Sequence, residues 1–163
     1  MRAATLALPI LCSLSIAMPA ASADFASAML KGADLSGQSH DNTDFSSAFL
    51  GEATLAGSSL DGANFQSALL TDADLSGCSA RGANFASALL KDTDLTGCDL
   101  TGADFTGAVL DGATLIQTTL TGAIFTHAVL DNADLSGSTT DDVDLSVART
   151  CGTRLPDGRT GPC

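Results

Sequence analysis

The chain has 163 residues, 45% of them hydrophobic, and its 19 acidic residues outnumber 7 basic ones for a formal net charge of −12. This length suits one domain of modest size. Only 16% of the residues are charged, so the chain is too apolar to be a disordered acidic tail. The negative charge excludes direct binding to nucleic acid or an anionic membrane through a basic surface. A partner should therefore be basic, cationic or neutral.

Residues 1–23 have the features of a secretory signal peptide. Arg2 precedes an apolar stretch that ends near Met18, and Ala21 and Ala23 form a small-residue cleavage site. The stretch is too short for a membrane span, which needs about 20 residues. Cleavage after Ala23 would leave six bases against 19 acids, a net charge of −13, and four cysteines, an even number that suits an oxidising compartment. We expect a secreted or periplasmic protein; the alternative is a buried N-terminal cap helix on a cytosolic protein.

A five-residue repeat follows this segment. Leu or Phe stands at 22 of the 25 positions that are multiples of five from Phe25 to Leu145. Ala usually lies two residues before it, and Gly often lies two residues after it. A period of five fits neither an α-helix nor a straight strand, because each would spread the leucines over several faces. The chain must therefore turn once per repeat, with Leu, Phe and Ala inward and Gly providing the positive φ of a type II turn.

Phe recurs every twenty residues, which sets the number of repeats in a coil. Four pentapeptides per coil bring six rings into one structural core stack, formed by Phe25, Phe45, Phe65, Phe85, Phe105 and Phe125. Residues 24–143 then make about six coils of a four-sided solenoid. At a strand spacing of about 4.8 Å, the rod would be about 29 Å long.

Runs such as ADLSG, GADFT and NADLS resemble the pentapeptide-repeat family, whose pattern is A(D/N)LxG. The resemblance covers about residues 24–148 and implies an all-β solenoid, a right-handed quadrilateral β-helix of about six coils of four pentapeptides. Residues 149–163 would form a Cys-, Pro- and Gly-rich capping tail. Some family members mimic duplex DNA and bind DNA gyrase or topoisomerase, giving quinolone resistance or toxin immunity. Export argues against this alternative, because gyrase is cytoplasmic.

The position before the Leu or Phe should face outward and is usually Asp or Asn in this family, but on one side of the rod it is apolar throughout. The residues are Met29, Phe49, Leu69, Leu89, Val109 and Val129, which we call the apolar stripe. The stripe is either a ladder of side chains that pack on one another or a contact surface for a protein or a lipid.

Acidic ladders are expected on other sides, for example at Asp34, Asp74 and Asp94. These carboxylates either form an ordinary solvated surface or attract calcium or a basic partner. The rod, residues 24–148, has a net charge of −15 and the tail has +2. This asymmetry, together with an open strand edge at Asp24, also favours end-to-end association or a homodimer.

Four cysteines follow residue 23, in two pairs. Cys78 and Cys98 are twenty residues apart at the same inward position, where the coil spacing allows a disulfide but the shared direction of the side chains favours free thiols. Cys151 and Cys163 enclose a segment in which the repeat has ended. They predict a disulfide loop that caps the last coil, because the alternative metal site lacks nearby His residues.

The residue types that carry chemistry are scarce. His40 and His127 lie about four coils apart, on the order of 20 Å, and His40 suits a role in the end coil. The sequence has no nucleophile elbow, phosphate loop or zinc-protease motif, and a filled core leaves no pocket. We therefore predict a non-enzymatic protein without a cofactor or metal, an exported rigid acidic scaffold or interaction module whose partner is a protein.

Overall fold

The computed structural model describes residues 24–163, so the signal peptide predicted at residues 1–23 lies outside the described residues. From residue 24 to residue 143 the chain repeats one five-residue unit. In all but two of the units, those of Leu35 and Leu115, the carbonyl of the inward residue accepts a hydrogen bond from the amide three residues later, as Phe25 does from Ala28 at 2.9 Å. The second turn residue always has a positive φ, between 55° and 71°. These are the type II turns expected from the glycines.

From Asp24 to Asp134, the outward residue of every unit except Ile124 pairs with the residue twenty positions later through a single parallel bridge. The bridges form four series, which begin at Asp24, Met29, Asp34 and Ser39, and we call them the first to fourth columns. The extended segments are very short. Within residues 24–163 they pair through isolated bridges, and no continuous strand is formed. The molecule is therefore a β-helical solenoid, as predicted, in which successive coils stack along the rod.

Backbone hydrogen bonds join adjacent coils in both directions. The amide of Leu70 donates to the carbonyl of Leu89 at 2.7 Å, and the amide of Leu89 donates to the carbonyl of Ala68 at 2.9 Å. The same pair of bonds recurs along every column, so that the coils satisfy each other's polar groups. Coil-to-coil pairing, rather than contacts within one coil, holds the extended segments in place.

The core fills the inside of the coils with Leu, Phe and Ala. The six Phe rings form one stack, with centroids 4.9 to 5.2 Å apart and planes within 12° of parallel. Hydroxyl residues at inward Ala positions are also satisfied: Thr93 donates to the Leu70 carbonyl at 2.7 Å and Ser58 to the Leu55 carbonyl at 2.6 Å. These bonds let polar residues enter the core without an unpaired group.

The C-terminal segment continues two columns before it turns back. Arg149 bridges Val129 and Arg154 bridges Asp134, so parallel pairing extends past residue 148, where the sequence pattern places the end of the rod. The chain then reverses, and Arg154 pairs with Thr160 in an antiparallel bridge. The tail therefore forms a short loop that continues from the last coil.

One 3₁₀ helix, Leu145–Val147, interrupts the first column near its C-terminal end. The side chain of Asp144 caps it by accepting a hydrogen bond from the Ser146 amide. No helix within residues 24–163 has the length and hydrophobicity to cross a bilayer.

Candidate interaction surfaces

The apolar stripe is the second column, in which each residue bridges the next from Met29 to Val129. Met29 is 69% exposed, Phe49 42% and Leu89 39%. Leu69, Val109 and Val129 are half-buried. The stripe therefore has both features that the sequence left open: its side chains stand next to one another on adjacent coils, and a substantial part of their surface faces solvent.

Five large hydrophobic side chains are exposed within residues 24–163, and all five lie on the first or second column or at the corner between them. Met29, Phe49 and Leu89 belong to the apolar stripe. Ile124 ends the first column, which is adjacent to the stripe, and Val147 lies beside Ile124 in the 3₁₀ helix. In this part of the chain the third and fourth columns have no exposed large hydrophobic side chain. The twenty-residue pattern identifies the stripe but not Ile124 and Val147, because neither residue follows the stripe's period.

The two corners that border the apolar stripe differ in charge. The turn before the stripe has no Asp, Glu, Lys or Arg in any coil from Ala26 to His127. The turn after the stripe carries both lysines of the chain, Lys31 and Lys91. Lys31 pairs with Glu52 at 3.0 Å, and Lys91 lies 3.8 Å from its neighbour Asp92. The stripe is therefore an uncharged surface on a strongly acidic rod, with mixed charge along one edge only.

The carboxylates of the acidic ladders bond to the turns that follow them. Asp34, Asp74 and Asp94 each accept a hydrogen bond from the amide two residues later, at 3.1, 2.9 and 2.8 Å. The hydroxyl of Ser36 and then its amide hold the pKa of Asp34 below its usual value. The charge pattern does not indicate that these carboxylates bond to their own turns. The signal for this bonding is the Ser or Thr that recurs two residues after the Asp.

Other acids tie neighbouring coils together. Asp61 accepts hydrogen bonds from the Ser79 hydroxyl at 2.6 Å and the Arg81 amide at 2.9 Å. Asn64 donates to Asp44 at 3.0 Å. Within residues 24–163 no three His, Cys, Asp or Glu side chains are grouped so as to hold a metal ion. The acids thus have a structural use, and nothing in their arrangement favours calcium.

Both cysteine pairs have their sulfur atoms at bonding distance. Cys78 and Cys98 are buried in adjacent coils with Cα atoms 4.7 Å apart. This differs from the free thiols that the side-chain direction favours, because a spacing of one coil lets both sulfur atoms meet between the coils. Cys151 and Cys163 have Cα atoms 4.2 Å apart and close the C-terminal loop.

The two histidines have unrelated surroundings. His40 is buried in the first coil, where its ring lies edge-on to the rings of Phe25 and Phe45 at 6.0 and 5.6 Å. Its Nε2 atom has no hydrogen-bond partner among the residues that the structure describes. Burial lowers the pKa of His40, although the nearby charge of Asp41 opposes this. His127 is exposed in a turn, so the two rings do not share a site.

An open groove of about 550 Å³ lies between the last coil and the tail. Leu145 and Leu155 line it together with Arg149 and Arg159. Each arginine is already paired, Arg149 with Asp131 and Arg159 with Asp157. The groove is at the end of the rod, whereas the core is filled. It offers no arrangement of base, nucleophile and oxyanion donors that would favour catalysis.

These features define a class of protein: a β-helical solenoid of five-residue repeats whose candidate functional features are surfaces. Residues 23–105 and 52–125 match the family described as pentapeptide repeat region. The chain belongs to the pentapeptide-repeat family, as its sequence pattern predicts.

Two solved structures of one protein have the same fold as this chain. A trypsin-treated variant of QnrB1, a plasmid-mediated fluoroquinolone resistance protein, has a TM-score of 0.74 and 26% identity, covering 81% of this chain and 67% of that one. Full-length QnrB1 has a TM-score of 0.53 and 20% identity, covering 83% of each chain. A pentapeptide repeat protein from the thylakoid lumen of Arabidopsis thaliana is 26% identical over 71% of this chain and 70% of that one, with a TM-score of 0.40. No curated protein matches the sequence. The similar proteins indicate no catalytic family.

Proposed function

We propose that this protein is an exported, non-enzymatic scaffold or interaction module, and that the apolar stripe is its contact surface for a protein. The carrying observation is that three of the five exposed large hydrophobic side chains of residues 24–163 belong to the stripe and the other two lie on or beside the adjacent first column. An apolar patch of a few hundred Å² has the size of the largest patch on an ordinary monomer, which is often functional. In this proposal the fold is a right-handed quadrilateral β-helix of about six coils, and each column is one of its faces.

The cysteines support export. All four cysteines of residues 24–163 are paired at bonding distance, which suits an oxidising compartment. We propose that residues 1–23 are removed as a signal peptide and that a Cys151–Cys163 disulfide fixes the capping tail. A rod held by coil-to-coil hydrogen bonds and a core disulfide presents its surfaces in a rigid arrangement.

The charge of the rod sets the chemistry of a partner. Acids surround the uncharged stripe on the neighbouring columns, so a partner with a neutral apolar centre and a neutral or basic rim would meet least repulsion. Long-range attraction would accelerate its association and would weaken as salt is added.

The proposed contact is tested by crosslinking in the compartment where the protein is found. Leu69→Glu combined with Leu89→Glu places two charges on the stripe, and Thr54→Glu combined with Thr114→Glu places the same charges on the third column. We expect the native protein and the Thr variant to recover a crosslinked protein partner that the Leu variant loses. Equal recovery by both variants would exclude the stripe as the contact.

Sequencing the N-terminus of the protein tests export: Asp24 is expected first, and an intact Met1 in the cytosol contradicts it.

A gyrase-binding DNA mimic is the second candidate, because the 26% identical QnrB1 variant comes from a fluoroquinolone resistance protein and this rod is also acidic. Two features weigh against it: the proposed export, and the unbroken five-residue register of residues 24–143, which leaves no projecting loop. A supercoiling assay with purified gyrase and a fluoroquinolone separates the candidates. Protection of gyrase would favour the mimic, and no effect at micromolar protein would favour the scaffold.

A further inference from the structure

We propose that the apolar stripe is a self-complementary interface through which two copies of this chain pair side by side in opposite directions. This rests on the proposed function, since it assigns a partner to the same surface. The two-fold axis would lie in the interface, perpendicular to both rods and level with the boundary between Leu69 of the third coil and Leu89 of the fourth. Each coil then faces the coil at the mirrored position of the other copy, so that the first faces the sixth.

The order of residue sizes along the stripe favours this arrangement. The stripe runs from large side chains to small ones: Met29 and Phe49 come first, two leucines follow, and Val109 and Val129 come last. Antiparallel pairing places Met29 opposite Val129, Phe49 opposite Val109 and Leu69 opposite Leu89, so that the combined volume stays nearly constant. Parallel pairing would place Phe against Phe and Val against Val, which overfills one end of the interface and leaves gaps at the other.

The charged edge carries two lysines and five acids in each copy, so it adds a repulsion that the apolar contact has to outweigh. Antiparallel pairing lays this edge of one copy along the same edge of the other, whereas parallel pairing would lay it along the uncharged corner. In the antiparallel pair, Lys31 faces the coil that carries Asp131, and Lys91 faces the coil that carries Asp72. Asp131 is already paired with Arg149, and Asp72 also faces Asp92. Glu52 approaches the other copy's Asp111, but Lys31 remains bonded to Glu52. On the first and third columns acidic side chains face outward, so two copies would repel each other there.

The size of the stripe sets the strength of the pair. A face about 29 Å long and about 15 Å wide gives on the order of 400 Å² per copy, about half of a standard interface. We therefore expect a weak dimer that is half-formed at tens to hundreds of micromolar, and that strengthens with added salt as repulsion between the two acidic rods is screened.

Site-specific crosslinking tests the register. Phe49→Cys and Val109→Cys place thiols on outward positions of the second and fifth coils. Antiparallel pairing brings the two different positions together and keeps identical positions about three coils apart, roughly 14 Å along the rod. With a short bismaleimide, a mixture of the two variants should give a crosslinked dimer, and each variant alone should match the unsubstituted protein. Crosslinking of Phe49→Cys alone would indicate parallel pairing and would overturn the proposal.

Sedimentation over a concentration series tests the dimer without new thiols. Leu69→Glu combined with Leu89→Glu should weaken association by at least tenfold, and Thr54→Glu combined with Thr114→Glu should leave it unchanged. A protein that stays monomeric to 1 mM overturns the dimer. If such a monomer still recovers a different protein through the stripe, the proposed function stands and only the self-pairing fails. If the dimer crosslinks and no other protein is recovered, self-pairing stands alone.

Discussion

At the second turn position of each pentapeptide, the backbone adopts a positive φ whether or not the residue is Gly. Gln117, with φ 56°, is one of several side-chain-bearing residues there. A residue with a side chain destabilises the folded protein by about 1 to 2 kcal/mol in this conformation. Gly avoids this strain, but its greater freedom in the unfolded chain offsets part of the gain. We expect Gln117→Gly to stabilise the protein by about 1 kcal/mol. Urea unfolding measures this, with Ser76→Gly at an ordinary φ as the control; if that control stabilises equally, the turn explanation fails.

The Asp residues of the ladders are predicted to act through their turns rather than through their charge. Asp94 accepts a hydrogen bond from the Thr96 amide at 2.8 Å. Asp94→Ala leaves this amide without its partner and should cost about 1 kcal/mol, as the loss of a helix cap does. Asp94→Asn keeps an acceptor oxygen and should cost much less. The unfolding free energies of the two variants at pH 7 distinguish a role of the hydrogen bond from a role of the charge. If the charge mattered, both substitutions would be equally costly or equally harmless.

The buried ring of His40 makes stability depend on pH. Because burial lowers its pKa in the folded protein, the unfolded chain takes up the proton first as the pH falls. The stabilisation that neutral His40 provides is fully present above the pKa that His has in the unfolded chain, about 6.5. It is lost as the pH falls from there toward the lowered pKa of the folded protein. His40→Leu, which restores the usual residue of this position, should flatten the unfolding free energy between pH 7.5 and 5.5.

The exposed His127 provides the matched control for that measurement. His127→Gln should keep the pH dependence of the native protein, because this ring lies outside the core. The window avoids the carboxylates, whose ordinary pKa values lie near 4. An unchanged slope in His40→Leu would show that the first coil does not bury the ring in solution.

At the scale of the elements, the C-terminal loop depends on a close backbone approach. Gly161 is buried, and a Cβ atom there would lie 2.8 Å from the Cβ of Thr150 and would also meet its carbonyl oxygen. Gly161→Ala should therefore displace the loop, with an overpacking cost of about 1 to 3 kcal/mol. Hydrogen exchange at the Gly161 amide, which donates to Thr153 at 2.7 Å, should speed up. Pro162→Ala, at an exposed neighbour, should leave the exchange rate unchanged.

The sequence predicts the repeating elements well and the C-terminal element less well, for a physical reason. The prediction of turns and coils depends on a side-chain pattern, and Thr150 does not follow it because it occupies a Leu position. The pairing of Arg149 and Arg154 with the preceding coil uses backbone groups, which almost any residue has. The Thr153 hydroxyl also bonds to the Leu130 carbonyl at 2.6 Å, so a polar residue occupies an inward position. The pairing continues here after the apolar pattern has ended.

For the candidate site, the sequence predicts the stripe because its side chains recur every twenty residues. It does not predict their exposure, since the shielding of Leu69 and the exposure of Leu89 depend on neighbours in adjacent coils. It also leaves the state of Cys78 and Cys98 open, because bonding depends on a sulfur separation that only coordinates provide. Residue spacing thus identifies which side chains are adjacent, and packing determines what each one presents to solvent.

At the scale of the whole molecule, stability comes from coils that match in register, and deletions of different length test this. Removing residues 104–123 takes out one full coil and joins Ala103 to Ile124, which keeps every later residue in its column. Removing residues 104–108 keeps the five-residue pattern but moves all later residues by one column. It also takes Phe105 out of the ring stack and moves Phe125 to the fourth column, so that the stack ends at Phe85.

We expect the shorter deletion to be the more damaging of the two. The twenty-residue deletion should leave a cooperative urea transition at a lower midpoint, because one stacking interface and one coil's burial are lost. The five-residue deletion should lower the midpoint further and broaden the transition, because phenylalanines then pack against positions shaped for other side chains. If stability instead followed only the number of residues removed, the pentapeptides would be interchangeable and the twenty-residue period would have no energetic meaning.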